Sequence, residues 1–225
     1  MTNAEPTDTH LKRTTILVND AARSIAFYRD VVGMTEYYNQ TMSVGGKIIP
    51  AGEPGAMVHL GIMEGNRSTI AKLGILEWTG PRLPENPGFA DRTRLGIGDT
   101  VFVCETPDMD PLIKRLEASP DCRIDCPPHD WAVPTPGGKG EIEMTTLSFF
   151  DPDGLFFEVN HKRNAPNIDA FGIKRTTLIV RDIQRSINFY KHVMGMAVWY
   201  DQEMPVGGEV LPAGEPGAQV RVVIM

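Results

Sequence analysis

Cysteine, histidine and glycine-rich stretches are where chemistry would first be sought in this 225-residue chain. Cys122 and Cys126 suggest a metal pair, but four residues along a strand span about 13 Å, too far for two thiolates to share one ion. In a loop that objection weakens. Three cysteines make no disulfide framework, so they fit a reducing compartment. His59 falls in a strand-like run, as a candidate acid or base beside the plainer reading of a structural histidine. His129 and Trp131 fall in a Pro- and Gly-bearing stretch, 127–140, read as a long loop that either covers a substrate or lies bare on the surface. The run PGGKG at 136–140 lacks the Ser/Thr and following helix of a phosphate-binding loop. Neither Gly-x-Ser-x-Gly nor a dinucleotide fingerprint occurs. Asn66-Arg67-Ser68 is a glycosylation acceptor only in a secreted protein.

The elements that must hold these residues come twice. Residues 11–63 and 173–225 align without a gap at an offset of 162, with 30 of 53 positions identical. LKRTTILVNDAARSIAFYRDVVGM faces IKRTTLIVRDIQRSINFYKHVMGM, and VGGKIIPAGEPGA faces VGGEVLPAGEPGA. Such matching is a duplication, not shared composition. Arg13 and Arg175 are copies; His59 has Arg221 opposite it. Each copy reads as strand, helix, strand, loop, strand. Thr14 to Val18 is β-branched. Asp20 and Asp182 stand at helix N-caps, and Gly33 and Gly195 at the helix ends. Glu36 to Met42 and Met57 to Met63 are extended, with Gly45-Gly46 and residues 50–55 as the loop between. In the second copy Ala197 to Met204 is extended.

The first copy continues. Ala71 to Trp78 is a strand, and Thr79 to Gly98 a loop. A second unit then follows: strand Thr100–Glu105, helix Pro107–Ala118, a short strand Cys122–Cys126, the long loop, and strands Ile142–Phe150 and Leu155–Asn160. Residues 1–10 read as a disordered tail, 11–161 as one domain of modules 11–78 and 98–161, 162–171 as a linker, and 172–225 as the first half of a second domain, truncated. The class is α+β, with paired βαβββ modules on a curved mixed sheet. The third strand of the second copy would leave an apolar edge of Val220, Val222 and Ile224. That edge invites self-association through 172–225, or marks the chain as a piece of a longer protein.

Composition narrows the partners. With 41% hydrophobic and 23% charged residues the chain is globular. The net charge of −7 argues against nucleic acid as a partner. No apolar run reaches the length of a membrane span, and the polar opening is no secretory signal. The expected compartment is the cytoplasm, and the expected partner a small molecule.

The string DxxxSxxFYxxxxGM, carried here by Asp20, Ser24, Phe27, Tyr28, Gly33 and Met34, together with Asp151-Pro152-Asp153-Gly154 and Glu158, resembles the vicinal oxygen chelate (VOC) superfamily. That superfamily includes glyoxalase I, bleomycin-resistance proteins and extradiol dioxygenases. The resemblance covers 11–161 and, as a half-domain, 172–225. It implies metal ligands at the first and fourth strands of each module, matched here to Glu77, Asp99 and Glu158. A common first-strand histidine is replaced by Arg13 and, in the copy, Arg175. Arginine cannot ligate a metal; it would pair with the carboxylates or bind an anionic substrate. Three carboxylates suit Mn²⁺ or Mg²⁺ better than Zn²⁺.

Because the fold hosts several chemistries, function rests on the site. The first reading is a glyoxalase-like lyase or isomerase. Glu158 removes a proton beside a carbonyl, Arg13 or a metal stabilises the enolate, and Arg13, His59 and Trp131 contact substrate. The alternatives are a metal-free binding protein of the bleomycin-resistance type, or an extradiol dioxygenase, which wants two histidines and a carboxylate on iron.

Overall fold

The structure, a computed structural model, describes residues 11–44, 49, 51–65, 71–84, 92–135, 140–205 and 211–225. The tail 1–10, Gly45-Gly46, Asn66-Arg67-Ser68 and most of the PGGKG run lie outside the described residues.

The first module is β1 (Arg13–Leu17), α1 (Ala21–Ala26), β2 (Thr35–Ser43), β3 (Met57–Glu64) and β4 (Lys72–Gly80), in the sheet order β1-β4-β3-β2. The Asp20 carboxylate accepts from the Arg23 amide and starts α1. The helix then widens into a π-helical stretch, Phe27–Val32, and stops at Gly33 with φ +93°. The second module repeats the order: β5 (Thr100–Glu105), α2 (Asp110–Ala118), β6 (Arg123–Pro134), β7 (Glu141–Phe150) and β8 (Phe156–Lys162). In each module the first strand lies parallel to the fourth.

Two expectations need correcting here. Residues 127–134 are not loop: β6 is one strand through Pro134, paired with β7. Its register shifts on either side of Cys126, so Pro127 and Pro128 sit in bulged backbone where ladder donors are not needed. The second helix begins at Asp110, after Pro107, not at it.

The start of the second copy, β9 (Gly172–Leu178), pairs antiparallel with β5 and makes the second sheet five-stranded, β6-β7-β8-β5-β9. After it come α3 (Ile183–His192) and a two-stranded sheet of β10 (Tyr200–Met204) and β11 (Val220–Ile224).

The main core lies between the first two modules. Ile16, Ile25, Phe27, Tyr28, Leu73 and Ile75 of the first pack with Phe102, Leu112, Phe149 and Phe157 of the second. Phe27 meets Phe149 at 6.1 Å between ring centroids, and Tyr28 meets Phe157 at 5.7 Å. The Tyr28 hydroxyl donates to the buried Asp151 carboxylate, and Ser24 Oγ donates to Asp153 at 2.6 Å. The helix motif and the Asp-Pro-Asp-Gly turn are thus two halves of one contact. No helix among the described residues is long and apolar enough to cross a membrane.

Candidate functional site

The candidate site is the face of the five-stranded sheet turned away from this core. Alternation along β8 sends Phe157 and Val159 into the core and leaves Phe156, Glu158 and Asn160 on the other face. Register then fixes the row across the strands. Cys126 of β6 stands opposite Ser148 of β7, Ser148 opposite Glu158, Glu158 opposite Val103 of β5, and Val103 opposite Arg175 of β9. Glu158 and Arg175 are therefore two strand spacings apart, about 10 Å between backbones, with a valine as the floor between them. Val101, Phe150, Phe156 and Leu95 extend that apolar floor. Residues of the second copy close one side: Leu95 N donates to Pro212 O at 2.8 Å, and Leu211 and Ala213 pack on the floor.

A directional hydrogen-bond chain ends at Glu158. The Trp131 indole N–H donates to Thr146 Oγ1 at 2.6 Å, Thr146 donates to Asn160 Oδ1 at 2.5 Å, and Asn160 Nδ2 donates to Glu158 Oε1 at 2.9 Å. The three bonds run in one sense, which orients the carboxylate. The opposite pole is Arg175, whose Nε is buried without a partner. The buried thiol of Cys104, on the reverse of β5, registers both poles: burial pushes it up first, Glu158 adds to that, and Arg175 opposes.

The expected site residues separate into four places. Glu158 lies in the row, and Trp131 is tied to it through the hydrogen-bond chain. Arg13 does not; it lies on β1 in the other sheet, in register with Lys72. Its copy Arg175 takes the position beside Glu158. Glu77 lies on the helix-facing side of β4, where Oε2 accepts from Ala21 N at 2.9 Å at the start of α1. His59 stands opposite Glu77 and bonds Asn39. Asp99 ties the turn before β5, taking Arg92 Nη1 at 2.5 Å and Gly96 N at 2.7 Å. Glu77, Asp99 and Glu158 do not converge, and among the described residues no three His, Cys, Asp or Glu side chains gather as a metal site. With one carboxylate and a guanidinium in the row, this face does not fit a divalent ion on its own residues.

The hydrogen-bond roles of Thr146 and Asn160 and the placing of Arg175 escaped the sequence reading. Thr146 and Asn160 carry no motif. Arg175 was visible only as a repeat of Arg13. On the same face, Cys126 Sγ lies 3.5 Å from His129 Nδ1, so His129, expected in a loop, is a side chain of the same strand as Cys126.

The fold agrees with comparisons to known proteins. A lactoylglutathione lyase of Oryza sativa subsp. japonica is 29% identical over 131 residues, 54% of this chain and 41% of that protein. The chain thus spans less than half of that relative. Glyoxalase I from Zea mays superposes with a TM-score of 0.57 at 18% identity, over 87% of this chain and 58% of the maize chain. A glyoxalase family protein from Bacillus cereus gives 0.54 at 10% identity, over 71% and 99%. At such identities the likeness is one of fold. The family model, Glyoxalase/Bleomycin resistance protein/Dioxygenase superfamily, matches residues 10–159 and 172–223, and this chain belongs to that superfamily.

Proposed function

We propose that the chain carries a glyoxalase-like lyase or isomerase site in which Glu158 is the base and Arg175 the oxyanion partner. The supporting observation is the row itself: a carboxylate oriented by a one-way donor chain, facing an arginine with a spare donor across an apolar floor. The name of the rice relative points to a thiol ester of a 2-hydroxy acid. The matching substrate class is the adduct of a thiol with a 2-oxoaldehyde. Its adduct carbon bears a hydrogen next to a carbonyl. Glu158 takes that proton, and the electron pair forms an enediolate whose oxygen Arg175 holds. Glu158 returns the proton to the neighbouring carbon, and the adduct hydroxyl's proton passes to the oxygen that Arg175 held, giving the 2-hydroxyacyl thioester with no atom gained or lost.

The activity assay uses a 2-oxoaldehyde with glutathione and follows thioester formation. Glu158→Gln should lower kcat by about 10³-fold or more, as loss of a catalytic base does. Arg175→Gln should cost about 10²-fold, the range of one oxyanion donor. Activity equal to wild type in either variant overturns the assignment. A rate that appears only with added Mn²⁺ or Mg²⁺ would mean that a metal completes the site from outside this row.

A further inference from the structure

The second arginine of the repeat has a different setting. A cleft of about 530 Å³ opens on the first module, lined by Lys12, Arg13, Thr15, Tyr37, Ile62 and Lys72. We propose that it is a second, non-catalytic site that binds the oxyanion group, carboxylate or phosphate, of a small metabolite.

The two modules align through equivalent bonds. Val18 N donates to Leu76 O at the end of β1, and Thr106 N donates to Asn160 O at the end of β5. Leu76 therefore corresponds to Asn160, and two residues earlier Gly74 corresponds to Glu158. The first module has no side chain where the second has its base. Arg13 fills that place: a Cβ on Gly74 would come within 3.1 Å of Arg13 Cδ and 2.6 Å of Thr15 Oγ1. The arginine's side-chain stem thus lies across Gly74 beside the Thr15 hydroxyl, and both residues line the cleft.

Charge in the cleft is one-sided. Lys72 is held by Glu64 at 2.9 Å and stands 3.2 Å over the Tyr37 ring. Lys12 and Arg13 have no ion-pair partner among the described residues. Two uncompensated cations, a hydroxyl and a planar guanidinium fork match an oxyanion with two terminal oxygens. Ile62 and the Tyr37 ring supply apolar wall for a short carbon skeleton.

The test is titration of the ¹⁵N-labelled full chain with inorganic phosphate and, separately, with succinate, against sodium chloride at matched ionic strength. The Thr15 and Gly74 amides should shift and saturate with one or both oxyanions and not with chloride. Tighter binding of succinate identifies a carboxylate ligand, tighter binding of phosphate a phosphate monoester. Arg13→Gln should weaken the affinity at least about tenfold. Gly74→Ala should do the same without removing a charge, whereas Gly80→Ala, with nothing within 4 Å of its Cβ, should leave it unchanged. Shifts that follow ionic strength with all three salts overturn the proposal. So does an unchanged oxyanion affinity in Arg13→Gln, whose dispersed spectrum will show that it is folded.

Discussion

At the scale of single residues, Asn160 shows how much a neutral side chain can matter. Its amide is the last donor before Glu158 and takes the Thr146 proton on its other end. Asn160→Ala should lower kcat about tenfold with little change in KM, because the carboxylate keeps its place on β8 but loses its orientation. Thr146→Val, one step further back, should cost less. Steady-state kinetics of the two variants checks the order. Asp151 is the second instructive residue. Burial raises its pKa to about 7, against the Tyr28 hydroxyl bond that pulls it down and with Asp153 pushing it up. Its folded value lies above the unfolded carboxylate value of about 4. Folding therefore binds a proton, and the stability contributed is complete below about pH 4 and lost as pH rises through 7. Unfolding free energy should fall across that window. Asp151→Asn should flatten the fall, as followed by urea titrations at a series of pH values.

At the scale of elements, β9 has two jobs. It extends the second sheet, and it brings an arginine to Glu158. Its entry is pinned to the exit of β3: a Cβ on Gly65 would meet Phe171 O at 1.9 Å. Gly65→Ala should destabilise by about 2 kcal/mol or more, since backbone must move. Activity in that variant should drop with the arginine's displacement. Equilibrium unfolding beside the kinetics of the same variant tests both halves. The same element explains which parts of the site were legible. Strand alternation alone puts Glu158 on an open face, since Phe157 and Val159 on either side are core residues. Which arginine faces it depends on whether β1 or β9 lies against β5. That choice is between strands distant in sequence, and no local pattern records it. Residues 127–134 misled for a related reason. Two adjacent prolines signal a break, yet pairing with β7 and a bulge absorb them. Glu77 sits in a strand-end context like that of a ligand, but one step of register turns it to the helix side.

At the scale of the molecule, the duplication was plain from identity alone, and the modules follow from it. What the repeat does not reveal is how differently its copies are covered. Phe27 is buried against the second module, whereas its copy Phe189 is 50% exposed; Trp199, the copy of exposed Tyr37, is 66% exposed. Val193, Met194 and Val198 join them at the surface. A patch of this kind drives association in water. Sedimentation velocity should show concentration-dependent self-association, and the double variant Phe189→Glu, Trp199→Glu should remove it.

The chain that begins at an indole also has an optical consequence. Trp131 donates its N–H to a threonine at the far end of a path that stops at the Glu158 carboxylate. When a ligand engages Glu158, the polarisation of that path changes, and with it the electronic surroundings of the ring. The protein thus carries its own fluorophore for occupancy of the row. Binding should be readable as a change in tryptophan emission that Trp131→Phe abolishes, while Trp78, buried in the other sheet, and Trp199, at the surface, supply the constant background.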